Sequence, residues 1–302
     1  MLNQQGKAIL QEIKEDFIEE KNIKLFLKRE DLLHNKVSGN KWRKLKYNLQ
    51  TAKEQGYTTL LTFGGAYSNH IYATAAAANE AGFNSIGVIR GERIEPLNAT
   101  LTFAEQMGMQ LHFVSRTLYR EKKEKYFIDN LRHEFGDFYL IPEGGSNNLA
   151  VKGCTEIADD IDISFDYLCT PVGTGGTMAG LIASLSKSKI LGFSALKGDF
   201  LKNEVDALLH DYGCVNSDNW EINTQYHFGG YAKIKTELTD FINAFKKKFD
   251  IQLDPIYTGK MMFGIYDLIS QGYFKSDSTI VALHTGGLQG LEGVKERFGI
   301  EF

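Results

Sequence analysis

Short apolar runs of β-forming residues alternate with helical patterns along nearly the whole chain, and no other feature restricts the fold as much. Thr58-Thr-Leu-Leu-Thr-Phe63, Ser85-Ile-Gly-Val-Ile-Arg90, Gln110-Leu-His-Phe-Val114 and Phe138-Tyr-Leu-Ile141 read as strands. Between them, helices are expected over Ile71–Ala81, Pro96–Met107 and about Leu118–Phe135. Lys24-Leu-Phe-Leu-Lys28 is an earlier strand, preceded by a helix-like start over Ile9–Ile18. A second alternating block begins near Asn148. Its strands are Phe165–Thr170, Ile190–Ala195, a run near Trp220–Tyr226, and Thr279–His284, with helices over Gly176–Leu185 and Gly259–Ser270. Alternation of this kind means parallel strands joined by crossover helices. The expected fold class is therefore α/β, with two doubly wound, mainly parallel-sheet lobes. A chain of 302 residues is long enough for two such lobes.

Ligands of α/β sheets bind at the carboxyl ends of the strands, where loops leave for helices. Val172-Gly-Thr-Gly-Gly-Thr-Met-Ala-Gly180 is such a loop. Gly173, Gly175 and Gly176 let the backbone approach an anion, the amides of the following helix point at it, and Thr174 and Thr177 add hydroxyl donors. A phosphate is the natural guest. No lysine follows Gly176 as in a P-loop, and the dinucleotide fingerprint is absent, so the ligand is smaller than a dinucleotide. Gly64-Gly-Ala-Tyr-Ser-Asn-His70 is a second strand-to-helix loop. Its amides suit a carboxylate, yet Ser68 or Asn69 could equally be no more than the helix cap. Tyr231, in Phe228-Gly-Gly-Tyr231, and Tyr257, in Asp254-Pro-Ile-Tyr-Thr-Gly-Lys260, sit in further loops, where Thr258 reads as an N-cap. His284 reads as a core histidine.

Val37-Ser-Gly-Asn-Lys-Trp-Arg-Lys-Leu-Lys-Tyr47 joins a glycine turn to a helix whose apolar residues Trp42, Leu45, Leu49 and Ala52 share one face. Lys41 stands at the junction and Lys44 one turn on. Taken alone, Lys41 could be a surface charge or a buried amine. Together with a phosphate loop lacking nucleotide features, it fits a phosphorylated aldehyde. Pyridoxal phosphate needs a lysine for its Schiff base, a phosphate cradle and a partner for its ring nitrogen.

These segments, with Lys28-Arg-Glu-Asp31, Pro142-Glu-Gly-Gly-Ser-Asn147 and His284-Thr-Gly-Gly287, keep the order of a known family over nearly the whole chain. The chain resembles the 1-aminocyclopropane-1-carboxylate deaminase / D-cysteine desulfhydrase family of tryptophan-synthase-type (fold type II) pyridoxal-phosphate enzymes, with the cofactor cleft between the lobes. The resemblance implies that Lys41 carries the cofactor and acts as base at the substrate α-carbon. It implies that Lys44 and Gly173–Thr177 hold the phosphate, and that Asn69 contacts the cofactor's phenolic oxygen. Ser68, Asn69 and His70 would bind the substrate, with Ser68, Tyr231 and Tyr257 assisting proton transfer. Thr258 would face the ring nitrogen, with Thr285 beside it. The deaminases carry a glutamate at the position of Thr258 and an apolar residue at that of Thr285, so both positions resemble the desulfhydrases.

The function these readings imply is a lyase catalysing α,β-elimination on a small amino acid, D-cysteine desulfhydrase-like, giving pyruvate, ammonia and sulfide. The alternatives are 1-aminocyclopropane-1-carboxylate deaminase and, from a different class, a non-catalytic phosphometabolite-binding protein. The larger cofactor domain is expected at 1–44 and 143–302, and a smaller mobile domain at 45–142. A net charge of −4 gives no reason to expect nucleic acid, and no apolar run is long enough to span a membrane. Cys154, Cys169 and Cys214 lack metal-ligand spacing and fit a reducing cytoplasm; no metal is expected. A homodimer is implied by the resemblance only.

Overall fold

A computed structural model describes residues 2–214 and 218–302. Ten strands form two sheets. The strands are β1 (Leu10–Ile13), β2 (Lys24–Lys28), β3 (Thr59–Gly65), β4 (Asn84–Arg90), β5 (Met109–Val114), β6 (Tyr139–Ile141), β7 (Tyr167–Val172), β8 (Lys189–Ser194), β9 (Trp220–Asn223) and β10 (Thr279–Leu283). One sheet has four strands in the order β5-β4-β3-β6, and the other six in the order β1-β2-β10-β7-β8-β9. Every pairing is parallel except β1 with β2. The alternating pattern thus yields the doubly wound, two-lobed α/β architecture expected of it.

Three expected elements differ. The helix expected over Ile9–Ile18 is a strand, β1, followed by a single helical turn at Asp16–Glu19. Leu10 to Ile13 pair antiparallel with Lys28 to Leu25, and this edge pairing outweighs the local helical pattern. The long helix expected from Leu118 breaks into Arg116–Tyr119 and Lys125–Phe135, because Tyr119 turns inward, with its hydroxyl donating to Glu143 at 2.8 Å. The helix expected from Pro96 starts at Ala99, capped by Asn98, whose side chain accepts from the Leu101 amide.

The helix Asn40–Glu54 lies between the lobes. Trp42, Leu45, Leu49 and Ala52 pack with Leu60, Ala73, Ala76 and Ile141 of the four-stranded lobe. The opposite face packs on the helix Asn148–Asp159. Gly153 makes that approach possible, since a Cβ there would sit 2.0 Å from the Arg43 carbonyl oxygen. Arg43, 3 % exposed, gives Glu30 two bonds, Nε to Oε2 at 2.9 Å and Nη2 to Oε1 at 3.0 Å, and also pairs with Asp160. Buried charges paired in this way fix one arrangement of the elements that carry them. This accounts for the Lys28–Asp31 segment: Glu30 pins the start of the helix that bears Lys41.

Candidate active site

The turn before Lys41 is wedged between two strand-end loops. Gly39 has φ +63, and a Cβ there would lie 1.9 Å from the carbonyl oxygen of Thr285. The Asn40 amide donates to that oxygen at 3.3 Å, and Asn40 Nδ2 donates to Thr177 Oγ1 at 2.9 Å. The helix therefore begins with one side against the β10 loop and the other against the β7 loop. Lys41 opens into the space between them, half-buried, with Nζ 3.4 Å from the Gly144 oxygen. Burial, then the neighbouring Lys44, holds its amine well below the usual lysine range.

Lys44 is fully enclosed. Its ammonium donates to Gly144 O at 3.0 Å, Ser146 Oγ at 3.1 Å and Thr174 Oγ1 at 3.5 Å. Among the described residues no carboxylate pairs with it, and burial pushes its pKa down to about 8. A buried cation without a counter-charge is costly, and an anion beside it removes that cost. The space for one is built: Gly175 takes φ +78, the helix starts at Gly176, and a Cβ on Gly176 would meet Ser146 Oγ at 2.7 Å and Lys44 Nζ at 3.0 Å. Thr174 bonds Ser146 at 2.7 Å across the loop. Lys44, Ser146, Thr174, Thr177 and the first amides of the helix Gly176–Ser184 make a donor set that fits a phosphate. Gly144 and Ser146 were not singled out from the sequence. Their signal lay in the glycine-rich, polar run Pro142–Asn147.

Across the cleft, Ser68 Oγ accepts from the amides of His70 (3.2 Å) and Ile71 (3.3 Å), so Ser68 caps the helix Asn69–Ala81. Its own hydroxyl proton is not used in the cap. Asn69 reaches toward the other lobe: a Cβ on Gly287 would lie 2.6 Å from Asn69 Nδ2. The His70 side chain, expected to bind substrate, is instead buried under Gly145, with Nε2 2.8 Å from Thr62 Oγ1 and Nδ1 3.5 Å from Thr74 Oγ1. It follows Asn69 by one residue, which on a helix turns it about 100° away and into the lobe.

Tyr257 lies against the phosphate loop, since a Cβ on Gly173 would be 3.0 Å from Tyr257 Cε1. Tyr231 meets it edge-on, with ring centroids 6.3 Å apart and planes at 65°. Burial raises both phenols, that of Tyr257 well above the ordinary tyrosine range, so both hold their protons at neutral pH. Thr258 is not the N-cap. It is the first residue of the helix Thr258–Ser270; Tyr257 holds the N-cap position without a side-chain cap bond, and Asp254 takes the amides at the helix start instead. The Asp254 carboxylate accepts from the amides of Ile256 (2.9 Å), Tyr257 (2.8 Å) and Thr258 (2.9 Å), and from Thr258 Oγ1 at 2.7 Å. Thr258 is fully buried. Thr285 meets the Gly39 turn through its backbone, and its side chain is 7 % exposed. His284 is a core histidine as expected, with Nε2 2.7 Å from the Gln252 oxygen.

The arrangement brings an amine of lowered proton affinity, an anion cradle, a capped helix start and two protonated phenols around one cleft. A family model described as "Pyridoxal-phosphate dependent enzyme" matches residues 5–286. A relative from Thermotoga maritima, whose name assigns it provisionally to 1-aminocyclopropane-1-carboxylate deaminase, is 32% identical over 290-odd aligned positions covering 90% of this chain and 91% of that protein. The bifunctional D-cysteine desulfhydrase/1-aminocyclopropane-1-carboxylate deaminase of Arabidopsis thaliana, a mitochondrial protein, is 32% identical, with 88% of this chain and 73% of that protein covered. Among solved structures, an ACC deaminase homologue superposes with a TM-score of 0.85 at 27% identity, covering 98% of this chain and 94% of that one.

Proposed function

The chain belongs to the pyridoxal-phosphate-dependent enzyme family, and on that premise we propose that it is a lyase that eliminates a β-substituent from a small amino acid, with D-cysteine as the representative substrate. It is an enzyme of the 1-aminocyclopropane-1-carboxylate deaminase / D-cysteine desulfhydrase type, and no helix among the described residues is long and apolar enough to cross a membrane. Bound pyridoxal phosphate supplies an electron sink that makes a substrate α-proton removable. The residues of this chain do the rest. Lys41 would hold the cofactor through its amine, whose proton affinity burial lowers, and once the substrate's own amine has displaced it, that freed amine would take the α-proton. Lys44, Ser146, Thr174, Thr177 and the Gly175–Gly176 turn hold the phosphate. The start of the helix Asn69–Ala81, with the Ser68 hydroxyl, holds the substrate carboxylate. Tyr257 and Tyr231 keep protons at their phenolic oxygens for the departing thiolate.

The observation that carries the choice of elimination is Thr258. A carboxylate bonded directly to a pyridine nitrogen keeps that nitrogen protonated and the ring a strong sink. Opening a cyclopropane, which offers no leaving group, requires such a sink, whereas expelling a thiolate does not. This chain has an uncharged hydroxyl at that position in place of a carboxylate. The bond from Thr258 to Asp254 favours the second reading, the deaminase, because it leaves the hydroxyl oxygen to accept from a protonated ring nitrogen, with the Asp254 carboxylate 2.7 Å behind. Parallel assays of pyruvate from D-cysteine and of ketobutyrate from 1-aminocyclopropane-1-carboxylate separate them. Elimination predicts the first at least about tenfold faster in kcat/KM; the reverse order would establish the deaminase.

The smaller domain is placed at 45–142 and the larger at 1–44 with 143–302. The four-stranded sheet, whose strands lie between Thr59 and Ile141, supports this division. Binding of the substrate carboxylate at Ser68–Asn69, opposite Gly287, would draw the lobes together and exclude water. A cytoplasmic homodimer completes the proposal; size-exclusion chromatography with light scattering tests the dimer.

A further inference from the structure

Lys260 ends the Asp254–Lys260 segment and is its one basic residue, with no task in the reaction. Lysines are rarely fully buried without a partner. This one is 1 % exposed, and among the described residues no carboxylate forms an ion pair with it. Its ammonium donates to two backbone carbonyls, of His227 at 2.9 Å and Gly230 at 2.8 Å. Those two oxygens are also the acceptors of two successive turns, from Gly230 N at 2.9 Å and from Lys233 N at 3.2 Å. The chain between them follows a path that side chains resist: Phe228 (φ +56), Gly229 (φ +103), Gly230 (φ +119) and Ala232 (φ +52) all lie in the left-handed half of backbone space. Tyr231 is carried on this loop, 41 % exposed and edge-on to Tyr257. Lys260 itself stands three residues after Tyr257, on the helix whose first amide donates to Asp254.

We propose that Lys260 is a positioning residue: its buried ammonium clamps the 227–233 turns to the start of the helix Thr258–Ser270 and thereby sets Tyr231 edge-on against Tyr257. The two phenols come from segments more than twenty residues apart, and the ammonium is the direct polar link between their supports. Among the described residues its ammonium bonds two backbone carbonyls and no side chain of the proposed site. It acts only through the loop it holds. Desolvation, which brings its pKa down to about 8, is offset by the two carbonyl dipoles and the nearby Asp254 charge. This inference rests on the proposal that Tyr231 serves the reaction.

The test is a double-mutant cycle on the cofactor-loaded enzyme, using Lys260→Met and Tyr231→Phe, with hydrogen exchange followed across residues 227–233. Lys260→Met should lower kcat about tenfold with KM changed less than about threefold, leave cofactor absorbance intact, and speed exchange of the loop amides. In the Tyr231→Phe background the same change should lower kcat less than about twofold, because the clamp then has nothing left to position. Losses that multiply across the cycle, or loop exchange unchanged by Lys260→Met, would overturn the proposal. If Lys260→Met does not fold, Lys260→Gln takes its place in the same cycle with the same two outcomes. Loop exchange that quickens while Tyr231→Phe keeps full activity would retain Lys260 as the loop anchor and instead discard the role given to Tyr231.

Discussion

Thr258 donates its hydroxyl proton to the Asp254 carboxylate across 2.7 Å and accepts the Asp254 amide proton at 2.9 Å. The exchange closes a ring of hydrogen bonds in a fully buried corner, and the helix Thr258–Ser270 starts from it. Replacing Thr258 by Val keeps the shape and removes both bonds, leaving a buried amide without its acceptor. The expected loss is about 1–3 kcal/mol, read as a fall in melting temperature. Thr258→Ser, which retains the hydroxyl, should lose less than half as much. A Thr258→Val variant as stable as the wild type, with Thr258→Ser destabilised, would place the stabilisation in the methyl group and not in the bond to Asp254.

Gly176 sits in the proposed phosphate cradle, against Ser146 and Lys44. A methyl group there would press on Ser146 Oγ and on Lys44 Nζ, at 2.7 and 3.0 Å. Both are ends of side chains that can move, so Gly176→Ala should fold. The displaced ammonium should weaken cofactor binding by about tenfold or more, the equivalent of one charge-assisted hydrogen bond. Equilibrium dialysis of pyridoxal phosphate, with the melting temperature of the cofactor-free protein as control, checks both halves of this statement.

Gly39 leaves no such freedom. Its φ of +63 disfavours any side chain, and a Cβ would stand 1.9 Å from the backbone oxygen of Thr285. Gly39→Ala should therefore push the Lys41 turn off the β10 loop. The predicted outcome is a protein lowered by several degrees in melting temperature, or insoluble, with loss of the cofactor's visible absorbance in whatever folds. A variant with wild-type stability and absorbance would mean that the turn is not wedged.

Lys44 makes a prediction about pH. Its pKa in the folded protein is about 8, below the ordinary lysine value it regains on unfolding. Between those two values the unfolded chain binds a proton that the native chain does not, so stability rises with pH. Below about 8 both states are protonated and the desolvation penalty is present in full. The cofactor-free enzyme should accordingly become more stable from pH 8 to pH 9.5. Lys260, lowered to about 8 by the same cause, contributes to the same slope. Lys41, also held well below the ordinary range, adds to it, so Lys44→Met should flatten the slope by about a third, and inorganic phosphate, which favours the charged form of Lys44, should flatten it also. Parallel slopes for wild type and Lys44→Met would contradict the assignment.

Much of this was legible in the order of residues. Apolar β-forming runs followed by helical patterns gave the parallel sheets, and the loop after Val172 marked the anion site because glycines and threonines lead directly into a helix. Lys41 gained its meaning from that loop, more than a hundred residues away. What escaped was whatever depends on pairing across the fold. The Ile9–Ile18 pattern satisfies a helix locally, and only the edge of β2 makes part of it a strand. His70 is next to Asn69 in sequence but is turned away from it into the lobe, against Thr62. Asp254 carried a readable sign, an aspartate before proline ahead of a helix, whose value shows only once three amides converge on it. Lys260 carried no sign, since nothing in a sequence separates a buried lysine from an exposed one.

The central claim is that Lys41 carries the cofactor. Reduction of the loaded enzyme with borohydride, followed by peptide mapping, tests it most directly. The account predicts a pyridoxyl label on Lys41 and, in Lys41→Ala, loss of both the label and the visible absorption band. Label on Lys44 or Lys260, or an absorption band unchanged in Lys41→Ala, would contradict it.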